Sequence, residues 1–139
     1  MSVEANKALI LEGWKCVGRG DQDGLAAMYH DDIVYRGAGG EEVRGRDSLM
    51  AMLSGYFTAM PDIKAEVEDV LGEGDRVFTR VRLTGTNTGE FMGKPATGKR
   101  VDIRWVMNVV RVQDGKVVEE WELFDNLDLM KQLGHISDT

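Results

Sequence analysis

The stretch VDIRWVMNVVRVQDGKVVEEWELFD, residues 101–125, decides the fold of this chain. Two runs rich in valine and tryptophan flank Asp114-Gly115, a dipeptide suited to a two-residue hairpin turn. Successive strand side chains point to opposite faces. Strict alternation puts Val101, Ile103, Trp105, Met107 and Val109 on one face, joined by Val117, Glu119, Trp121 and Leu123 of the second run. The other face receives Asp102, Arg104, Val106, Asn108 and Val110, with Val118, Glu120, Glu122 and Phe124. Two assignments are open. In the first, the tryptophan face is core and the mixed face meets water, the common antiparallel arrangement. In the second, the mixed face is a pocket wall and Trp105 and Trp121 lie in a subunit contact. Val106, Val110, Val118 and Phe124 are apolar for a solvated face, which favours the second.

Working outward, the period is helical before residue 61 and two-fold after it. Val3, Ile10, Leu11, Trp14 and Val17 recur at helical spacing, with Ser2 as N-cap and Gly18 and Gly20 as terminators. Asp21 caps a short second helix carrying Leu25, Met28 and Tyr29. Ile33, Val34 and Tyr35 read as a strand, and residues 37–45 as a loop without the spacing of a phosphate-binding motif. A third helix opens at Arg46 or Asp47, presents Leu49, Met52, Leu53, Tyr56, Phe57 and Met60, and stops at Pro61. Ile63, Ala65 and Val67 then alternate with polar residues, residues 72–75 turn, and residues 76–84 form a further strand. Residues 85–100 are a polar, glycine-rich loop, and Leu127, Met130 and Leu133 a last helical turn closed by Gly134. Helices segregated from a run of hairpin-connected strands predict an α+β layout with an antiparallel sheet.

Composition narrows the function classes. A chain of 139 residues predicts one domain, 1–139, with room for one core and one pocket. A net charge of −7 and the lack of a basic stripe argue against nucleic acid and anionic membranes as partners. There is no apolar run of membrane-spanning length and no signal-peptide pattern at the N-terminus. The single Cys16 excludes an internal disulfide, and together these features predict a cytoplasmic protein. His30 and His135 have no neighbours at metal-ligand spacing, so no metal is expected.

The run Gly85-Thr86-Asn87-Thr88-Gly89-Glu90-Phe91-Met92-Gly93-Lys94-Pro95-Ala96-Thr97-Gly98-Lys99-Arg100 resembles the signature loop of the SnoaL-like polyketide cyclases. The ending Asp114-Gly115-Lys116-Val117-Val118-Glu119-Glu120-Trp121-Glu122, followed by Asp125 and Gln132-Leu133-Gly134, is similar to the same family. The resemblance covers essentially the whole chain and places it in the nuclear-transport-factor-2-like superfamily. It implies a cone-shaped, curved antiparallel sheet with three helices closing the concave face, a cystatin-like α+β barrel. It also implies that the mixed hairpin face looks into the cone and that homodimers form through the outer face at Trp105 and Trp121.

The family reaction is an intramolecular aldol closure without metal or cofactor. In the cyclases that define the family, a carboxylate on the last strand is the acid/base and a histidine on the preceding strand is its partner. By register these positions match Glu122 and Asn108, where Asp and His are usual. A carbon-bound proton between two carbonyls is acidic enough for one positioned carboxylate to remove. An apolar lining would raise the Glu122 pKa by desolvation, and Glu120 would raise it further by like charge. Asn108, Arg104 and Tyr35 are the candidate donors to the enolate oxygen. Trp14, Phe57 and Phe124, with Tyr35, Arg104 and Glu120, are the expected substrate contacts. Asp125 reads as a cap. Epoxide hydrolysis on this fold lacks a carboxylate on the strand 76–84, and steroid isomerisation lacks an acid at Asn108. A non-catalytic protein binding a small apolar metabolite is the alternative from a different class.

Overall fold

The computed structural model describes residues 2–137. Four helices and six strands follow in the order α1 (Val3–Arg19), α2 (Gln22–Ala26), β1 (Tyr29–Arg36), β2 (Glu42–Arg44), α3 (Arg46–Ala59), β3 (Lys64–Glu73), β4 (Arg76–Thr86), β5 (Arg100–Gln113), β6 (Lys116–Leu123) and α4 (Asn126–Leu133). Local chemistry sets the boundaries. Ser2 Oγ accepts from Ala5 N at 3.0 Å to open α1, and Gly20 ends it in the left-handed conformation, its N–H on the Cys16 and Val17 carbonyls. Asp21 and Asp125 cap α2 and α4 through their side chains. Asp114 and Gly115 both have positive φ, the requirement of the tight turn that joins β5 to β6.

The six strands form one curved sheet in the order β2-β1-β6-β5-β4-β3. Every neighbouring pair is antiparallel except β1 and β6, which run parallel with Tyr35 opposite Glu120. Period-2 patterning carries no information about strand direction, and the long intervening chain makes the parallel pairing possible. The strand Tyr29–Arg36 also begins earlier than Ile33, so Tyr29 belongs to β1 and not to the second helix. Among the described residues, no helix is long and apolar enough to cross a membrane.

Two bulges correct the simple alternation of the hairpin. Val81 faces Val106 while Leu83 faces Ile103, so Arg104 and Trp105 together oppose the single residue Arg82. Arg111 faces Glu119 while Val112 faces Val117, leaving Val118 as the extra residue on β6. Each extra residue resets the facing of the chain beyond it. Val101, Ile103 and Val117 therefore turn inward and are buried, although strict alternation put them with the tryptophans. Asp102 turns outward and takes a two-pronged ion pair from Arg82, at 2.9 and 2.6 Å. Trp105 (59% exposed), Met107 and Leu123 stand exposed on the outer face, and Trp121 lies there between the guanidiniums of Arg36 and Arg76, 5.3 and 5.4 Å from its ring.

The helices cover the inner face, and two apolar clusters form beneath them. One gathers Ile10, Leu25, Ile33, Leu49, Val77, Val110 and Val117; the other gathers Met60, Ile63, Val81, Val101, Ile103, Val106, Leu129 and Leu133. Trp14, Val17 and Phe57 pack against both and bridge them.

Candidate functional site

A cavity opens between the helices and the inner face of β4–β6. Its walls are almost entirely apolar: Ile10, Trp14 and Val17 from α1, Leu53, Tyr56 and Phe57 from α3, Ile103, Val106 and Val110 from β5, and Phe124 after β6. Against this lining stand Asn108, Glu120, Glu122 and Tyr29. The alternation of β6 brings Glu120 and Glu122 to the same face, and Asn108 lies directly opposite Glu122 across the ladder.

Asn108 links the two carboxylates. Its amide nitrogen donates to Glu120 Oε2 at 2.7 Å and to Glu122 Oε2 at 3.3 Å. The Tyr35 hydroxyl donates to Glu122 Oε1 at 2.8 Å. The Tyr29 hydroxyl is turned to Glu120, yet Glu120 Oε1 has no hydrogen-bond partner and is sealed from solvent. Burial, then the charge of Glu122, pushes the Glu120 carboxyl up to about 8. Burial also raises Glu122, opposed by the hydrogen bonds from Tyr35 and Asn108. The first carboxyl of the pair to ionise is Glu122, whose charge then adds to burial in holding the proton on Glu120 at neutral pH. Burial raises Tyr29 and Tyr35, and brings Tyr56 up to about 12 (with help from Glu122 and Glu41), so all three phenols are neutral.

Most of the residues singled out from the sequence meet here. Glu122, Asn108, Glu120, Trp14, Phe57 and Phe124 line the cavity. Tyr35 is not part of the lining but anchors Glu122. Arg104 is the exception: the β5 bulge leaves it exposed on the solvent side, so it is neither an enolate donor nor a partner of Glu120. Val118, also counted on the pocket face, is the bulged residue of β6 and stays out of the lining. Asp125 caps α4 by accepting from Asp128 N at 2.9 Å.

Three contributors had escaped the sequence. Tyr29 faces Glu120 from the start of β1. Thr79, wholly buried beside Asn108 on β4, accepts from Trp14 Nε1 at 3.0 Å. Its signal is a threonine between two inward valines, Val77 and Val81, with Arg80 and Arg82 facing the other way. Tyr56, read only as part of an apolar helix face, lines the cavity, with its phenol close enough to Glu122 and Glu41 to feel their charge. Among the described residues, no group of three or more His, Cys, Asp or Glu side chains is placed to hold a metal ion.

Solved structures share this arrangement of sheet and helices. AclR of Streptomyces galilaeus, a proposed hydroxylase, superposes with a TM-score of 0.88 at 36% identity, covering 99% of this chain and 86% of that one. IdmH of Streptomyces antibioticus, a proposed polyketide cyclase, gives 0.79 at 30% identity, over 93% and 98%. Aklanonic acid methyl ester cyclase DnrD of Streptomyces peucetius is 28% identical over 119 residues, 83% of this chain and 81% of the cyclase. The sequence model of the SnoaL-like polyketide cyclases matches residues 9–133, from the middle of α1 to the end of α4. A match that takes in every cavity wall, from α1 to β6, places the chain in the SnoaL-like polyketide cyclase family.

Proposed function

We propose that this chain is a cofactor-independent cyclase that removes a carbon-bound proton from a small apolar carbonyl compound and closes a ring by aldol addition. Glu122 is the base. The observation that carries this reading is its setting: a raised carboxyl in an apolar cavity, held by Tyr35 and Asn108, beside a Glu120 that stays protonated. Raising a carboxylate toward the working pH increases its strength as a base while leaving it ionised. The apolar walls suit a flat, hydrophobic substrate and exclude water that would quench the enolate. Asn108 does not titrate, so it positions the two carboxyls and does not carry protons.

The name of DnrD points to a methyl ester and the family to a polyketide as the substrate class, and the proton we assign to Glu122 is one flanked by two carbonyls, the most acidic such a compound offers. The likeness to AclR favours a second reading, hydroxylation of a similar compound, which would begin with the same proton removal and would consume dioxygen and two electrons from an added reductant, releasing water. Dioxygen uptake matched to turnover would identify it. We also propose that two copies of the chain pair across the outer face at Trp105 and Trp121, beside the exposed Met107 and Leu123; sedimentation velocity on the wild type and on Trp105→Glu tests it.

Glu122→Gln, assayed for turnover of a polyketide methyl ester and for ligand binding, tests the base. Loss of turnover with binding kept supports it. A wild type that binds such esters and turns over none of them makes the chain a binding protein.

A further inference from the structure

An oxyanion formed inside an apolar cavity needs a hydrogen-bond donor, and this cavity has few to offer. Both N–H bonds of the Asn108 amide are directed at Glu120 and Glu122. The Tyr35 hydroxyl is committed to Glu122, the Trp14 indole to Thr79, and the Tyr29 hydroxyl is turned to Glu120. Arg104 is outside. Glu120 holds a proton, but its unpartnered oxygen is closed off from any water-sized space. One hydroxyl in the lining is left: that of Tyr56, which has no hydrogen bond and is not sealed.

We propose that Tyr56 is the catalytic donor that holds the enolate oxygen, and that the 87–99 loop exists to brace its ring. The proposal rests on the reading of Glu122 as base. In the step, Glu122 takes the carbon-bound proton and the C–H electron pair forms the enolate C=C. The carbonyl oxygen becomes an oxyanion that accepts the Tyr56 O–H. The enolate then returns its pair to make the new C–C bond. The acceptor carbonyl becomes an alkoxide and takes the proton from Glu122, so the substrate is isomerised and nothing else is consumed.

The brace is built from backbone and one side chain. Asn87, wholly buried, donates to the Ala59 and Gly89 carbonyls at 3.3 and 2.8 Å and accepts from Thr97 N and Oγ1 at 2.9 and 3.0 Å. Thr88 N and Gly89 N also reach the Ala59 carbonyl, at 3.1 and 3.2 Å. A side chain at Gly89 would strike the Thr58 carbonyl, so only glycine lets the loop lie this close to α3. The loop is thereby tied to the last turn of α3, directly after Tyr56. It sets Phe91 against the Tyr56 ring with centroids 5.2 Å apart, and His135 stacks behind Phe91 at 6.2 Å.

The probe is 2-naphthol, whose ionised form resembles an enolate and whose fluorescence reports its protonation. Binding is compared between Glu122→Gln, which mimics the base after it has taken the proton, and Glu122→Gln with Tyr56→Phe. A lost hydrogen bond to an ionised oxygen should weaken naphtholate by roughly 10- to 100-fold while leaving naphthalene unchanged. Phe91→Leu in the Glu122→Gln background should lose part of that preference. Equal naphtholate affinity with and without the Tyr56 hydroxyl, or no preference for naphtholate over naphthalene in Glu122→Gln itself, overturns the proposal. Because the Tyr56 oxygen has no hydrogen-bond partner among the described residues, Tyr56→Phe should fold normally. The comparison is made without the base, so it stands or falls separately from turnover by Glu122.

Discussion

The Tyr35 hydroxyl donates to Glu122 Oε1 across 2.8 Å, joining β1 to β6 between residues 87 positions apart. This bond favours the ionised form of Glu122 and so opposes the rise that burial causes. Tyr35→Phe should therefore move the acid limb of kcat/KM to higher pH. The pH–rate profiles of wild type and variant check it; a limb that stays or falls contradicts the role given to Tyr35.

Glu120 gives a stability signature of unusual sign. Its folded pKa of about 8 lies above the ordinary carboxyl value. Below the unfolded pKa both states hold the proton and Glu120 contributes no slope. Between that value and about 8 the folded state binds more protons, so stability falls as pH rises, by about 1.4 kcal/mol per pH unit at most. Above that range the slope ends. Glu120→Gln should flatten this decline, and Glu122→Gln should shorten it by removing the neighbouring charge. Urea unfolding from pH 5 to 9 measures both.

Asn108→Leu removes the donor shared by Glu120 and Glu122. Leaving a buried carboxylate short of a partner costs about 1–3 kcal/mol. The loss should be larger at pH 9, where the pair is most ionised, than at pH 5. Chemical denaturation at the two pH values decides it, and a pH-independent loss would point to packing alone.

Thr79→Val keeps the shape of the side chain but strands the Trp14 indole N–H. A stability loss of about 1–3 kcal/mol is expected, with a shift in tryptophan emission. Unchanged emission would mean that Thr79 does not hold Trp14 in the cavity wall.

The hairpin shows which features were legible in the sequence. Asp114-Gly115 fixed the turn, and alternation over residues 119–124 put Glu120 with Glu122; the turn alone would pair Asn108 with Trp121, and it is the Val118 bulge that shifts the register by one and brings Asn108 opposite Glu122. Alternation failed at Arg104-Trp105 and Val118, because bulges there use ordinary strand residues and leave no compositional mark. That is why Arg104 was placed inside and Val101, Ile103 and Val117 outside. Tyr56 was hidden for another reason: its helix face is apolar, and only the tertiary arrangement shows that its hydroxyl is the one left without a partner.

The claim that Glu122 is the base is tested most directly by deuterium loss from the doubly activated carbon of a labelled polyketide methyl ester, followed by NMR at neutral pH. Wild type should speed the loss well above the buffer rate, and Glu122→Gln should reduce that acceleration by about 100-fold or more. Wash-out by Glu122→Gln at the wild-type rate would contradict the account.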